Sequence, residues 1–564
     1  MTVNRKQARR SSPVTGRDRE AWLAALRAKY NAEPTQFEGR SRSGIPLPTV
    51  FGPEDVEGLD QDSVGYPGLF PYTRGIYPLQ FQSTPWMNQQ VHGYGTPEDT
   101  NERMRHLRAQ GMSGYGGRPV FNLVFDLPTQ EGYDADDPVS AGRVGQSGVS
   151  VSTVDDLDRV FASFDLDKIN ASLIMADPSL AILAMYIVLA ERRGISAAAL
   201  RGNTMNFLYN TFHFDRHGFP PPAAMRLIVE LVRHVSREMP AWNSTNLCGY
   251  NIRESGASAV QELAYVLATG IAITEACVQA GLEADEFLPR FGFQIEVGDD
   301  LFEDICKIRA LRRMWATTNR ARFGATDERS MQARIHVHTS GADLTAQQPM
   351  VNIARAALHT LAAVMAGANS IQTSSYDEAL GIPTEEAATL ALRTQQVVRY
   401  ETGVTNVTDP LGGSYYVEWL TDRMVVEAES QLSILEVEGG GFLNAWTSGW
   451  LRDRIADWAY RERQAQESGE RVVVGQNMFT ADEPEHWSVF AVSEDAERLQ
   501  VERLRAFRAA RDNDAVERGL AQLAAAVSDE GEIMPRVLEC FRADATLGEV
   551  MGVFRDAWGR GSVY

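Results

Sequence analysis

The sequence predicts an α/β fold, a TIM-type (β/α)8 barrel carrying an N-terminal arm and a helical C-terminal linker region. Two observations predict it. Short apolar, strand-like runs alternate with amphipathic helical stretches from about residue 71 to 400, and successive strands lie roughly 28 to 50 residues apart. Seven such units are recognisable, which favours a closed barrel over an open parallel sheet. A third feature shows the βα rhythm in one place. The apolar helical run Ile353 to Met365 precedes the strand-like Gly367–Thr373, and the polar loop Asp377-Glu378-Ala379-Leu380 follows. It sets a carboxylate just past a strand's C-terminal end, where a parallel barrel keeps its chemistry.

In chain order, the first 70 residues read as an arm. It is Arg-rich, then rich in Gly, Pro and Asp, with one helical stretch over 19–30, and is either disordered or wrapped on a partner. The apolar runs 120–125, 171–176, 199–205, 245–250, 291–297, 333–338 and 368–373 read as strands. The helices between them are expected over 100–110, 179–193, 223–238, 257–280, 301–317 and 350–366. Residues 401–564 read as a mostly helical linker or cap, in which 503–511 presents one charged face.

Composition narrows the function. The chain has 564 residues, 44% of them hydrophobic, and a net charge of −21. Such acidity argues against a nucleic-acid surface and an anionic membrane surface. The four cysteines, Cys248, Cys277, Cys306 and Cys540, form no CxxC and read as free thiols of a reducing compartment, so the cytoplasm is expected. The polar, basic N-terminus has no apolar signal core, and no run of about 18 apolar residues suggests a membrane span. No P-loop, dinucleotide fingerprint or GxSxG elbow is present.

The polar residues at predicted strand ends are the candidate site: Asp126, Asp177, Asn206, Asn251, Glu254, Gln294, His336, His338, Ser374 and Glu378. Each alone could be a loop cap. His336 and His338 alternate on one strand and so face one side. With no matching ligands at other strand ends, they read as polar contacts or packing, and no metal site is expected.

Several words recur in order: Tyr72-Thr73-Arg74-Gly75-Ile76-Tyr77-Pro78, Phe125-Asp126-Leu127-Pro128-Thr129, Gly132-Tyr133-Asp134 and Trp242-Asn243-Ser244. Gly249-Tyr250 with Glu254, Thr339-Ser340-Gly341, Asp377-Glu378-Ala379-Leu380 and Asp409-Pro410 with Gly412-Gly413-Ser414 complete the series. Over roughly residues 66–430 this resembles the substrate-binding chain of the adenosylcobalamin-dependent acyl-CoA mutases, the methylmalonyl-CoA and isobutyryl-CoA mutase family. The resemblance implies a barrel that threads an acyl-CoA along its axis and a radical 1,2-rearrangement. It also implies adenosylcobalamin carried on a separate domain. The cobalt-ligating Asp-x-His-x-x-Gly signature is absent, since Asp215-Arg216-His217-Gly218 has the wrong spacing. No cobalamin-binding domain is therefore expected in this chain. The implied partner is a small cobalamin-binding subunit, in a heterotetramer of two large and two small chains.

By the same resemblance, Glu254 and Glu378 meet the adenosyl group, with Phe125, Gln130, His338, Ser374 and Ala379 around it. Tyr77, Val91, Ser172, Met205, Asp215, Asn243, Asn251 and Arg290 meet the substrate, and Asn251, Glu254 and Glu378 form the catalytic set. The chain departs from the pattern at several of these. Asn251 and Gln130 stand where relatives have His, Met205 where they have Gln, and Ile174 where they have Thr. Ser374 replaces an Asn and His338 a Gln. Asn can donate a hydrogen bond but cannot act as a general acid. Asp215 falls near the arginine that holds the carboxylate of methylmalonyl-CoA, which argues against that substrate. Val91 occupies a position that is Tyr, Phe or Ile in relatives and leaves room for a branched acyl group. Thr84 and Gln89 replace two CoA-contacting arginines and Gly292 a serine, while Arg290 remains. Three readings stay open: a mutase with an unusual or carrier-bound acyl thioester, an ordinary branched or 2-hydroxyacyl-CoA mutase, and a non-catalytic subunit that stabilises a partner.

Overall fold

The computed structural model describes residues 17–59, 61–114, 117–175, 177–206, 218–481 and 490–560. Ten parallel strand segments form two five-stranded sheets. They are β1 (Met87–Gln89), β2 (Val91–His92), β3 (Val120–Val124), β4 (Asn170–Met175) and β5 (Gly202–Asn206), then β6 (Trp242–Asn243), β7 (Thr245–Cys248), β8 (Phe291–Val297), β9 (Arg334–Thr339) and β10 (Ser370–Gln372). One sheet runs β1-β10-β9-β8-β7 and the other β2-β3-β4-β5-β6. Only Gln90 separates β1 from β2, and only Ser244 separates β6 from β7. The sheets are thus continuous in the chain at both junctions, an arrangement consistent with a TIM-type barrel.

The strands are buried on both faces, as parallel strands covered by helices must be. All seven residues of Phe291–Val297 are buried. Six of the seven expected strands appear within a residue or two of their predicted bounds. The exception, expected over 199–205, begins three residues later, because Ala197–Ala199 form a 3-10 turn. Residues 87–92 went unread as a strand because they are short and polar, with Asn88, Gln89, Gln90 and His92 among them. Their buried polar side chains line the interior of the fold or pack beside it. The helix expected over 301–317 continues to Arg322.

The N-terminal arm is held on the chain's own surface. Its helix spans Arg17–Tyr30, and Ser41 donates to buried Glu303. Arg42 pairs with Asp343 at 2.7 Å and Glu462 at 3.2 Å. The C-terminal region is equally well attached. Tyr415–Val437 packs against Leu301–Arg322, and Met534–Arg542 covers the almost wholly buried Ser179–Arg192. Arg309, 1% exposed, joins Asp409 at 2.9 Å to Glu418 at 2.8 Å, while Arg74 reaches Asp409 at 2.6 Å. Among the described residues no single helix is long and apolar enough to cross a membrane.

Candidate functional site

A cavity of about 1150 Å³ runs among the strands. Its lining changes character along the strand direction. At the strands' N-terminal ends stand Arg201, Arg290 and Arg334. None of the three is ion-paired among the described residues. Burial, then the charges of Arg334, Arg329 and Arg201, lower the Arg290 pKa from its usual value. Such mutual repulsion marks a site short of anions.

Midway, the lining is hydroxyl and amide. Asn203 Oδ1 accepts from Ser172 Oγ at 2.8 Å and from Asn246 Nδ2 at 3.1 Å. Asn122 and Asn243 lie beside them, and His336 Nδ1 meets Ser370 Oγ at 2.8 Å. Gly292 leaves room for the Asn246 amide, because a Cβ on it would sit 2.3 Å from Asn246 Oδ1 and push that side chain aside.

Toward the C-terminal ends the cavity has two unlike walls. Val91, Val124, Ile174 and Met205 make an apolar one. Gln294, His338, Gln372 and Tyr250 make a polar one, where Tyr250 stacks on His338 with centroids 4.2 Å apart. Burial, with His336 nearby, pushes the His338 pKa down to about 3, and burial pushes His336 down to about 4, so both rings are neutral at physiological pH. Phe490, from the C-terminal region, also lines this end and meets Tyr94 edge-on at 4.8 Å.

Two carboxylates close this end. Glu378 lines the cavity on the turn after β10. Burial first, and then the charge of Glu254, pushes its pKa up to about 7. Glu254 lies behind it. It accepts from Gly341 N at 2.8 Å, Ala342 N at 3.1 Å and Ser340 Oγ at 3.4 Å, which fixes the turn after β9. Asp377 caps the helix Glu385–Glu401 through Thr384, whose N and Oγ1 both donate at 2.9 Å. The fourfold word Asp-Glu-Ala-Leu thus splits its acids, one for the fold and one for the cavity.

The raised Glu378 pKa has a definite sign. The folded chain holds this proton more tightly than the unfolded chain, so the group's contribution to stability falls as pH rises from 4.5 to about 7. Glu378→Gln should therefore gain stability relative to the parent between about pH 5 and pH 8, as read by urea midpoints. An advantage that shrinks with pH would contradict the assignment.

Of the residues expected at the site, Tyr77, Val91, Gln130, Ser172, Met205, Asn243, Asn251, Arg290, His338 and Glu378 all line this cavity. Phe125 is fully buried and does not line it, Ala379 is exposed, and Ser374 gives its hydroxyl to the Thr339 carbonyl at 2.9 Å. Asp215 lies outside the described residues. Sequence reasoning missed Arg201, Asn203, Asn246, Arg334 and Gln372, because attention went to strand C-termini. The period-two rule, followed back from Met205 to Asn203 and Arg201 or from His338 to Arg334, would have found the inward face. One group outside the cavity has metal-like spacing, Asp299, Asp343 and His359, but Arg42 and Arg471 already face those carboxylates.

The family model for methylmalonyl-CoA mutase matches residues 40–560. The chain is 37% identical to the 2-hydroxyisobutanoyl-CoA mutase large subunit of Aquincola tertiaricarbonis over 518 residues, covering 91% of each chain. It is 34% identical to the methylmalonyl-CoA mutase large subunit of Streptomyces virginiae over 549 residues, 96% of this chain and 74% of that one. It is likewise 34% identical to the mitochondrial methylmalonyl-CoA mutase of Homo sapiens over 542 residues, 95% of this chain and 71% of that one. With the match running over nearly its whole length, the chain belongs to the methylmalonyl-CoA mutase family of acyl-CoA mutases, which are isomerases.

Proposed function

We propose that this chain is the large, substrate-binding subunit of an adenosylcobalamin-dependent mutase. It would rearrange the carbon skeleton of a branched or otherwise unusual acyl thioester, not methylmalonyl-CoA, by radical chemistry in a closed (β/α)8 barrel. One observation carries the proposal, the lengthwise order of the cavity. Three arginines suit the phosphates of CoA, the amide and hydroxyl belt suits its amide-bearing arm, and the apolar wall suits an uncharged acyl group. Arg201 and Arg334 supply cations that Thr84 and Gln89 do not, so CoA is favoured over a protein-bound carrier.

The residues facing the C-terminal end fit the cofactor's adenosyl group in part. Glu378, held protonated up to about pH 7, can donate to or accept from a ribose hydroxyl, and Glu254, Gln130 and His338 stand close by. Ser374 and Phe125 are committed to the fold and offer it little, and Ala379 has no polar group to offer. When bound, adenosylcobalamin supplies the homolysable cobalt–carbon bond. The chain's own residues hold the thioester, orient the acyl group and keep water away. Asn251 can donate to the thioester carbonyl without exchanging a proton. The cobalt ligand would come from a small partner subunit, in an assembly of two large and two small chains. The four cysteines, all buried thiols, suit a cytoplasmic setting.

Asn251, Met205 and Gln130 also support a second reading, a non-catalytic subunit that stabilises a partner. One experiment separates the two. The chain is combined with its cobalamin-binding partner, adenosylcobalamin and a panel of CoA thioesters, and the visible spectrum is followed. Loss of the cobalt–carbon chromophore with one thioester, and none with methylmalonyl-CoA, is expected. Cobalamin bound but inert to every thioester would favour the second reading.

A further inference from the structure

The Glu254 carboxylate is held by the turn after β9, and that turn is held in its own right by both ends of the chain. Gly341 N, Ala342 N and Ser340 Oγ all donate to Glu254 Oε1, and a Cβ on Gly341 would sit 3.4 Å from the other oxygen. The turn runs into Asp343, whose N donates to Ser340 Oγ at 3.1 Å. The Asp343 carboxylate is buried and does not line the cavity. Its Oδ2 accepts from Arg42 Nη1 at 2.7 Å and Asp299 N at 3.0 Å, in space that a Cβ on Gly298 would take. Arg471 Nη2 lies 3.9 Å from its Oδ1, and Arg42 and Arg471 also share Glu462. The N-terminal arm and the C-terminal region therefore meet on the turn that carries Glu254.

Fastening the arm does not by itself require this contact. Ser41 Oγ and Ser43 N already donate to Glu303, and Arg42 N donates to Asp300 Oδ2 at 3.1 Å. The Arg42 side chain reaches past these bonds to Asp343 and is left 13% exposed. Removing two charges from water costs much of what their attraction returns, so such a pair is better read for the geometry it fixes than for stability. We infer that Arg42 is a positioning residue for Glu254: its guanidinium fixes Asp343, Asp343 fixes the turn, and the turn's amides hold Glu254 beside Glu378. For its ligand, the inference rests on the reading of this end as the adenosyl face. The coupling of Arg42 to the two carboxylates stands apart from that reading. Arg42 itself does not line the cavity, so it acts through the turn alone. The links are charge-assisted hydrogen bonds, which are short and directional, and an acceptor fixed in this way is preorganised for a ribose hydroxyl.

The test uses the full chain alone and has two readouts. The first is calorimetric binding of 5′-deoxyadenosine to the parent, Arg42→Gln, Arg42→Lys and Ser41→Ala. Arg42→Gln should bind roughly tenfold more weakly. Arg42→Lys, which keeps a cation toward Asp343, should recover part of that loss. Ser41→Ala loosens the arm at Glu303 but leaves Asp343 its guanidinium, and should bind like the parent. The second readout is the stability gained by Glu378→Gln between pH 5 and pH 8, from urea midpoints, in the parent and in the Arg42→Gln background. Burial first, then the charges of Glu254 and Asp377, raise the Glu378 pKa. A Glu254 freed from its amides either swings away or takes a proton more readily, and each lowers that pKa, so the gain should shrink in the Arg42→Gln background. Circular dichroism identifies a variant that fails to fold, in which case Arg42→Lys takes its place in both readouts. An unchanged pH gain overturns the inference, and so does an equal binding loss in Ser41→Ala and Arg42→Gln, which would make arm docking as a whole the cause. If the parent does not bind 5′-deoxyadenosine, the adenosyl reading falls, and the pH comparison alone decides the coupling.

Discussion

Arg290→Gln should bind a CoA ester about tenfold more weakly and at the same time be slightly more stable than the parent. The two effects share one cause. Arg290 sits partly buried among Arg201, Arg329 and Arg334, with no carboxylate paired to it among the described residues. Burial and its cationic neighbours already lower its pKa. Removing that charge relieves repulsion in the ligand-free chain. The same charge is what a phosphate would pair with, and a hydrogen bond to a charged group contributes about 1.5–3 kcal/mol. Arg290→Gln/Arg334→Gln should then cost about a hundredfold in affinity, with a weaker salt dependence than the parent shows. Arg334 is less clean, because it also donates to the Pro289 carbonyl, so its single variant should lose some stability. Calorimetric titration at two ionic strengths, with thermal unfolding alongside, checks all of these. Equal affinity of parent and double variant would remove the phosphates from this end of the cavity. So would a stability loss at Arg290, because it would give that side chain an unseen structural partner.

The contrast between Arg290 and the other conspicuous residues explains what could be read from the chain beforehand. The βα rhythm was legible because its signal is apolar burial, which dominates a strand such as Phe291–Val297. The ordered words that carry the family resemblance were legible too, but most of them serve the fold. Asp409 pairs with Arg74 and Arg309, and Ser414 caps the helix Tyr415–Val437. Asp126 caps Leu127–Gln130 and also accepts from Gly145 N at 2.7 Å. Tyr72 and Thr73 lend their carbonyls to Arg312. The cavity's own lining was harder to see. Asn203 and Asn246 are ordinary polar letters until two strands bring them 3.1 Å apart. Residues 87–92 look like a loop because their polar side chains are buried in the fold's interior, where periodicity cannot tell them from turn residues. Glu378 was found from its strand-end position. Its raised pKa was not, because that depends first on burial and then on Glu254, which lies 124 positions away in the chain and is brought near only by folding.

The largest loss of stability should follow Lys307→Met, about 3–5 kcal/mol in urea unfolding. Lys307 is 1% exposed, and its Nζ lies 2.6 Å from both Glu262 Oε2 and Asp304 Oδ1 and 2.9 Å from the Glu296 carbonyl. Burial alone would lower its pKa, but the charges of Asp304 and Glu262 outweigh that and raise it. Methionine fills a similar volume, so packing is nearly kept and the cost isolates the charge. Two carboxylates are then left unpaired in the core. Their other oxygens hold the end of β8, since Glu262 accepts from Glu296 N at 2.9 Å and Asp304 from Gly298 N at 2.7 Å. That end lies two residues beyond Gln294, so the damage should spread to the polar wall and weaken thioester binding as well. The sign with pH follows from which groups lost their partner. Without the lysine both carboxyls should titrate upward, so lowering the pH should protonate them and narrow the gap between variant and parent. Adding Glu262→Gln to Lys307→Met should recover part of the loss, because it removes one stranded charge and keeps an acceptor for Glu296 N. A double variant as unstable as the single would mean that the lysine acts by filling space and bonding the Glu296 carbonyl, with little contribution from the ion pair to Glu262.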